Sequence, residues 1–237
     1  MKLKDIKQNK KNPKNLGASE SPSGDLGVNL GVDSYIISHS DAESDYLAQV
    51  NRRTHLRLIN PRMMSGHFQG RVLAMLCQMI QPKRILELGT YSGYSALCMA
   101  EALSDGGILH TIEHDDELED FILENINGSA HNSKIKLHIG DALEKIAEID
   151  ETFDLVFIDA DKRQYVAYYE AVLPKIRQDG FILVDNTLWD GKLFYEIDPN
   201  DKQTIEIMRF NDFIAKDTRI EKVILPLRDG LTIIRKK

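Results

Sequence analysis

Cysteine is scarce in this chain: two in 237 residues, Cys77 and Cys98, each inside an apolar helical pattern. A disulfide framework and a thiolate metal site are thereby set aside, and both read as small core residues. Long apolar runs are missing as well. No stretch of about 18 hydrophobic residues occurs, so no membrane-spanning helix and no membrane partner are expected. The lysine-rich start is not followed by the apolar segment and cleavage site of a secretory signal, which points to a cytoplasmic protein. Positive charge is in deficit, with 30 Lys and Arg against 37 Asp and Glu for a formal net charge of -7. Beyond a local cationic stretch between Lys2 and Lys14, there is no basic footprint for nucleic acid. The 7 histidines show no metal-ligand spacing, and His67, His110, His114 and His138 read as structural or surface groups.

What is present is enough apolar sequence, 42% of residues beside 28% charged, for one large core and one domain. Residues 1–32 are rich in Lys, Asn, Ser and Gly with almost no aromatic side chain. They bury too little surface to offset their ordering entropy and read as a flexible extension or partner-binding arm, leaving residues 33–237 as the domain. Ser40 and Glu43 have the spacing of a capping box, which predicts a helix running to about residue 58. After Gly66, the residues Phe68, Val72, Leu73, Leu76, Met79 and Ile80 recur at helical spacing and predict a second helix with that face apolar.

From Pro82 onward strand and helix patterns alternate, the signature of βαβ units with right-handed crossovers. Strands are predicted at 84–88, 108–112, 135–139, 155–158 and 181–184, with helices at 95–103, 118–125, 143–149 and 165–176. A helix near 204–215 precedes two β-rich runs, 220–225 and 231–234, and Asp229-Gly230 between them is a hairpin signal. The fold class is therefore α/β: a Rossmann-like, mostly parallel seven-stranded sheet with helices on both faces and an antiparallel C-terminal strand.

Two consecutive apolar strands end in oxygen donors, Asp159 after the first and Asp185-Asn186 after the second. In an open parallel sheet the carboxyl ends of adjacent strands line the ligand crevice, so Asp159, Asp185 and Asn186 can meet at one point. Two carboxylates and a carboxamide suit Mg²⁺, Mn²⁺ or Ca²⁺ better than zinc. Lys162, one helical turn beyond Asp159, is a candidate proton acceptor, and Asp161 is the better placed N-cap for the helix that follows. Upstream, the loop from Glu87 to Ser95 links a strand to a helix with glycines at 89 and 93, and the next strand ends in Glu113, placed to grip ribose hydroxyls. An adenosine-containing ligand is implied. The glycine spacing departs from Gly-x-Gly-x-x-Gly, and Glu87 would repel a pyrophosphate while suiting an ammonium or sulfonium. An NAD-dependent oxidoreductase is the rival reading, and a non-catalytic binding protein is another.

These motifs, together with residues 63–70, Thr111-Ile112-Glu113, Gly140-Asp141-Ala142, 154–162 and 185–193, resemble the cation-dependent class I O-methyltransferases, the group that includes the catechol and caffeoyl-CoA O-methyltransferases. The resemblance runs from about Ser40 to the C-terminus and implies that residues 33–237 form an S-adenosylmethionine-dependent methyltransferase domain. It places Glu87, Gly89 and Ser95 around the methionine moiety, Glu113 on the ribose, and Asp141 and Ala142 beside adenine. Ser65 contributes from the turn before the sheet, and Asp159 lies near the sulfonium. Asp159, Asp185 and Asn186 become ligands of a divalent cation and Lys162 the catalytic base. The acceptor implied is a vicinal dihydroxy aromatic molecule, with Trp189 either a wall of its pocket or a packing group. A homodimer is expected because the 63–80 helix and the N-terminal segment carry more apolar surface than one sheet face covers, and because similar bacterial and plant enzymes dimerise.

Overall fold

The structure, a computed structural model, describes residues 30–237, with side chains from residue 34 onward. The predicted N-terminal extension lies outside the described residues except for its last three, which open a first helix, α1 (Leu30–Ser38). Helices α2 (Asp45–Arg57) and α3 (Gly66–Ile80) follow, and then β1 (Arg84–Leu88), α4 (Tyr94–Ala100), β2 (Ile108–Glu113), α5 (Glu119–Asn127), β3 (Ile135–Ile139) and α6 (Ala142–Glu148). The chain continues through β4 (Phe153–Ile158), α7 (Tyr165–Val172), β5 (Ile176–Val184), α8 (Lys202–Lys216), β6 (Ile220–Leu225) and β7 (Leu231–Lys236). All seven strands join one sheet in the order β3-β2-β1-β4-β5-β7-β6. The first five are mutually parallel, and β7 runs antiparallel to both of its neighbours. Among the described residues no helix is long and apolar enough to cross a membrane.

Continuous apolar runs such as Leu155–Ile158 make sense because both faces of a parallel sheet are covered. Alternate residues feed two separate cores. Ile85, Leu155, Phe157 and Leu183 pack with residues of α2 to α5, whereas Leu86, Leu88, Val156, Ile158, Ile182 and Val184 pack with residues of α6 to α8. Strand order reverses between β1 and β4, the position where open α/β sheets place their ligand crevice.

Three local expectations are corrected. The cap of α2 is Ser44, whose hydroxyl accepts from the Leu47 N–H at 3.3 Å, and not Ser40. Glu43 is occupied elsewhere, accepting from the Tyr94 hydroxyl and from Asn51. The buried stripe of α3 runs through Gln69, Gly70, Leu73, Ala74 and Cys77, while Met79, assigned to the apolar face, is 75% exposed. Apolar residues ring this helix on nearly every side, so periodicity leaves its phase open. Helix α7 stops at Val172 and not near 176 because Pro174 forces a short helical turn, after which β5 begins five residues earlier than expected.

Candidate active site

Past the formal strand ends the ladder continues for one more residue. Gly89 donates its N–H to the Ile112 carbonyl at 3.0 Å, Asp159 to Leu88 at 2.9 Å, and Asp185 to Ile158 at 3.0 Å. Neighbouring strands lie about 4.8 Å apart, so Glu113, Gly89, Asp159 and Asp185 form a row along the carboxyl edge. Each of the three acids follows a residue of the α6 to α8 core, Ile112, Ile158 or Val184. Period-two alternation therefore turns all three toward the side covered by α3 and α4. Glycine is required at 89, where φ is +92° and a Cβ would sit 2.0 Å from the Asp159 carbonyl oxygen.

At the centre of this row Lys162 Nζ donates to Asp159 Oδ1 at 2.7 Å. Burial works to strip the Lys162 charge, but the charge and hydrogen bond of Asp159 and the neighbouring Tyr165 outweigh it and hold the ammonium well above an ordinary lysine. Asp185 is 4% exposed. Burial first, and then the Asp159 charge, push its carboxyl up to about 7, against the pull of Gln69 and Lys162. Its Oδ2 accepts from Gln69 Nε2 at 2.8 Å, whereas Oδ1 is buried with no partner. Asn186 adopts φ 59°, a left-handed conformation that Asn tolerates, and its Nδ2 donates to Asp229 Oδ2 at 3.3 Å. The structure thus gathers Asp159, Asp185 and Lys162 and sets Asn186 directly after Asp185. Among the described residues no group of three or more His, Cys, Asp or Glu could hold a metal ion. The donor set is two carboxylates and one carboxamide, hard oxygen donors with one buried oxygen in want of a partner, and it fits a hard divalent cation.

The second half of the row is a polar cradle. Glu87 is fully buried, and its carboxylate accepts from Ser95 Oγ at 2.5 Å and Thr111 Oγ1 at 2.6 Å. Burial pushes its carboxyl up to about 8, the two hydroxyls opposing and the Asp159 and Glu113 charges adding to the rise. Glu113 accepts backbone N–H groups from Tyr91 at 2.7 Å, His114 at 2.8 Å and Asp115 at 2.9 Å, which pins the glycine loop to the end of β2. Asp141 spends Oδ1 capping α6 through Leu143 and Glu144, and Ala142 is buried behind it. Ser65 is buried at the head of α3 without a side-chain capping bond. Trp189 is half-buried, with Lys192 Nζ 5.3 Å from its ring centroid and no partner for its indole N–H. Asp161 caps the turn after β4 through the Arg163 N–H at 3.1 Å.

Sequence reasoning misses Gln69, Arg228, Asp229 and Tyr165. The Tyr165 hydroxyl donates to the Asp185 carbonyl at 3.1 Å. The carbonyl of Asp229 accepts from the N–H groups of Leu188 and Trp189, and Gly230 seats against Leu188, so the β6 to β7 turn props the loop after Asn186. One signal was available for Gln69: a primary amide within the apolar pattern of a helix. An open groove of about 930 Å³ along α8, lined in part by Ile205, Met208 and Phe213, contains none of the residues singled out above.

Residues 37–237 match the family model described as O-methyltransferase. The chain is 32% identical over 216 residues to a Dictyostelium discoideum protein named probable caffeoyl-CoA O-methyltransferase 2, covering 88% of this chain and 92% of that one. It is 33% identical over 201 residues to the catechol O-methyltransferase of Niastella koreensis, covering 83% and 90%. Among solved structures, the O-methyltransferase TomG from Streptomyces achromogenes, in complex with SAM, superposes with a TM-score of 0.80 at 26% identity, covering 87% of this chain and 96% of that one.

Proposed function

This chain belongs to the O-methyltransferase family, and from that premise we propose that it transfers a methyl group from S-adenosylmethionine to one hydroxyl of a vicinal dihydroxy aromatic small molecule with the help of a divalent cation. The observation that carries the reading is the unpartnered, buried Oδ1 of Asp185 in the same row as Asp159 and Asn186. A buried carboxylate oxygen without a donor is costly unless a ligand completes it. Asp159, Asp185 and Asn186 hold the cation, Mg²⁺ or alternatively Mn²⁺ or Ca²⁺, which supplies Lewis-acid polarisation and a template for two adjacent hydroxyls.

The remaining chemistry is positioning, which suits an in-line displacement. Glu87, braced by Ser95 and Thr111, faces the ammonium of the cosubstrate, and Gly89 lets it approach the sheet edge. Glu113 takes the ribose hydroxyls, and Asp141 and Ala142 border adenine. Ser65 closes the cradle from α3, and Asp159 lies on the sulfonium side. The acidic excess of the row offsets the positive charge of both ligands. Paired with Asp159, Lys162 Nζ is a proton donor, so its work as a base requires that Asp159 be engaged by another partner first. Trp189 forms a wall of the acceptor pocket. A cytoplasmic location and a homodimer belong to the same proposal, in keeping with two free, buried cysteines and with the exposed Met63, Met75 and Met79.

The test is transfer of labelled methyl to a panel of catechols. EDTA abolishes it, Mg²⁺ or Mn²⁺ restores it, and Asp185→Ala loses it while still binding S-adenosylmethionine. Lys162→Ala slows turnover, less so at high pH where the acceptor ionises unaided. Full-rate methylation by EDTA-treated protein overturns the cation site, and cosubstrate binding without turnover on the whole panel favours a non-catalytic role.

A further inference from the structure

We propose that Gln69 is a positioning residue for the cation site, dictating which oxygen of Asp185 is left to bind, and that Arg228 in turn dictates the orientation of Gln69. The inference rests on the cation reading above and adds two residues to it. Gln69 is 1% exposed, on a helix face otherwise made of Gly70, Leu73, Ala74 and Cys77. A primary amide buried there is destabilising unless both of its ends are bonded. Both are. Oε1 accepts from Arg228 Nη1 at 2.9 Å, and Nε2 donates to Asp185 Oδ2 at 2.8 Å.

The order of these contacts follows from what each group can do. A guanidinium only donates, so Arg228 admits the oxygen end of the amide and no other. The nitrogen end is then forced toward Asp185. The reversed amide would set an acceptor against the carboxylate and leave the guanidinium facing an N–H. The bond from Gln69 fixes the plane of the Asp185 carboxylate and occupies one lone pair of Oδ2, so Oδ1, which lacks any partner, is the oxygen with both lone pairs open. Asp185 therefore presents one oxygen, already oriented, in place of a carboxylate free to swivel. Arg228 Nη1 also donates to the Ser65 carbonyl, which clamps the head of α3 to the β6 to β7 turn and sets the height of Gln69 above the sheet.

Outer hydrogen bonds to a ligating carboxylate change metal affinity by about 10- to 100-fold. Mn²⁺ binding to the full-length protein, read by electron paramagnetic resonance and calorimetry without cosubstrate or acceptor, tests this apart from turnover. Gln69→Leu is expected to weaken Mn²⁺ by at least about tenfold with an unchanged Kd for S-adenosylmethionine. Arg228→Met, checked by circular dichroism to be folded, moves Mn²⁺ affinity in the same direction, and Arg228→Lys, which keeps a donor-only cation, restores part of it. Unchanged Mn²⁺ affinity in Gln69→Leu and Arg228→Met, beside a loss in Asp185→Asn, overturns the role of Gln69 and leaves the cation site standing. Wild-type protein that takes up no Mn²⁺, or Asp185→Asn that takes it up equally well, overturns the cation reading and this inference with it.

Discussion

Glu87 makes the cradle costly to build. Its carboxyl is pushed up to about 8 by burial, above an ordinary carboxylate. A folded-state value raised in this way leaves stability untouched below the unfolded value and lowers it progressively as pH climbs toward 8. Glu87→Gln removes the ionisation, so the ligand-free variant should melt above wild type by a gap that opens between pH 5 and pH 8, roughly 2 to 4 °C for each kcal/mol recovered. Cosubstrate binding should weaken in the same variant, because an amide does not attract an ammonium. A melting difference that is constant with pH, measured by scanning fluorimetry, counts against this account. Glu113 is the complementary case. Glu113→Ala should cost roughly 2 to 3 kcal/mol of S-adenosylmethionine binding by calorimetry, as expected for hydrogen bonds to a charged group, and unchanged affinity removes Glu113 from the ribose.

Among the elements, those flanked by hard punctuation are readable from sequence, and those without it are not. Strand β1 begins two residues after Pro82, and α3 opens at Gly66 as its glycine suggests. Helix α2 has two Ser-led openings within five residues, and the choice between Ser40 and Ser44 depends on Glu43 being drawn to Tyr94, a partner 51 positions away. The consequence is measurable. Ser44→Ala should lower stability by about 1 kcal/mol, and Ser40→Ala by less, in urea titrations; the reverse order would restore the capping box. The phase of α3 is lost for a different reason, since apolar side chains surround it and only its packing against α4 decides which are covered. That error matters for the site, because the corrected phase is what brings Gln69 to Asp185.

For the whole molecule, the row of acids is legible because strand alternation and strand order are local rules applied in succession. The props beneath it are not, because Gln69 and Arg228 are 159 residues apart and meet only once the sheet is closed. The correction to α3 also bears on assembly, because it leaves Met75 and Met79 exposed at 53% and 75%, near Met63 in the sequence at 59%, and these exposed side chains are the surface on which a dimer is expected. Light scattering at micromolar concentration should return the mass of a dimer, and a monomer would refute the expectation. Strand β7 is made after β6 yet lies between β6 and β5. During synthesis the chain completes β1 to β5, with Asp159, Asp185 and Asn186 already in hand, while the edge of β5 stays bare and β6 has nothing to pair with. Only when residues 227–236 emerge does the turn bearing Arg228 and Asp229 reach the loop it props. Until then the nascent chain offers an open edge on which other chains can add, and the loop after Asn186 waits for its prop.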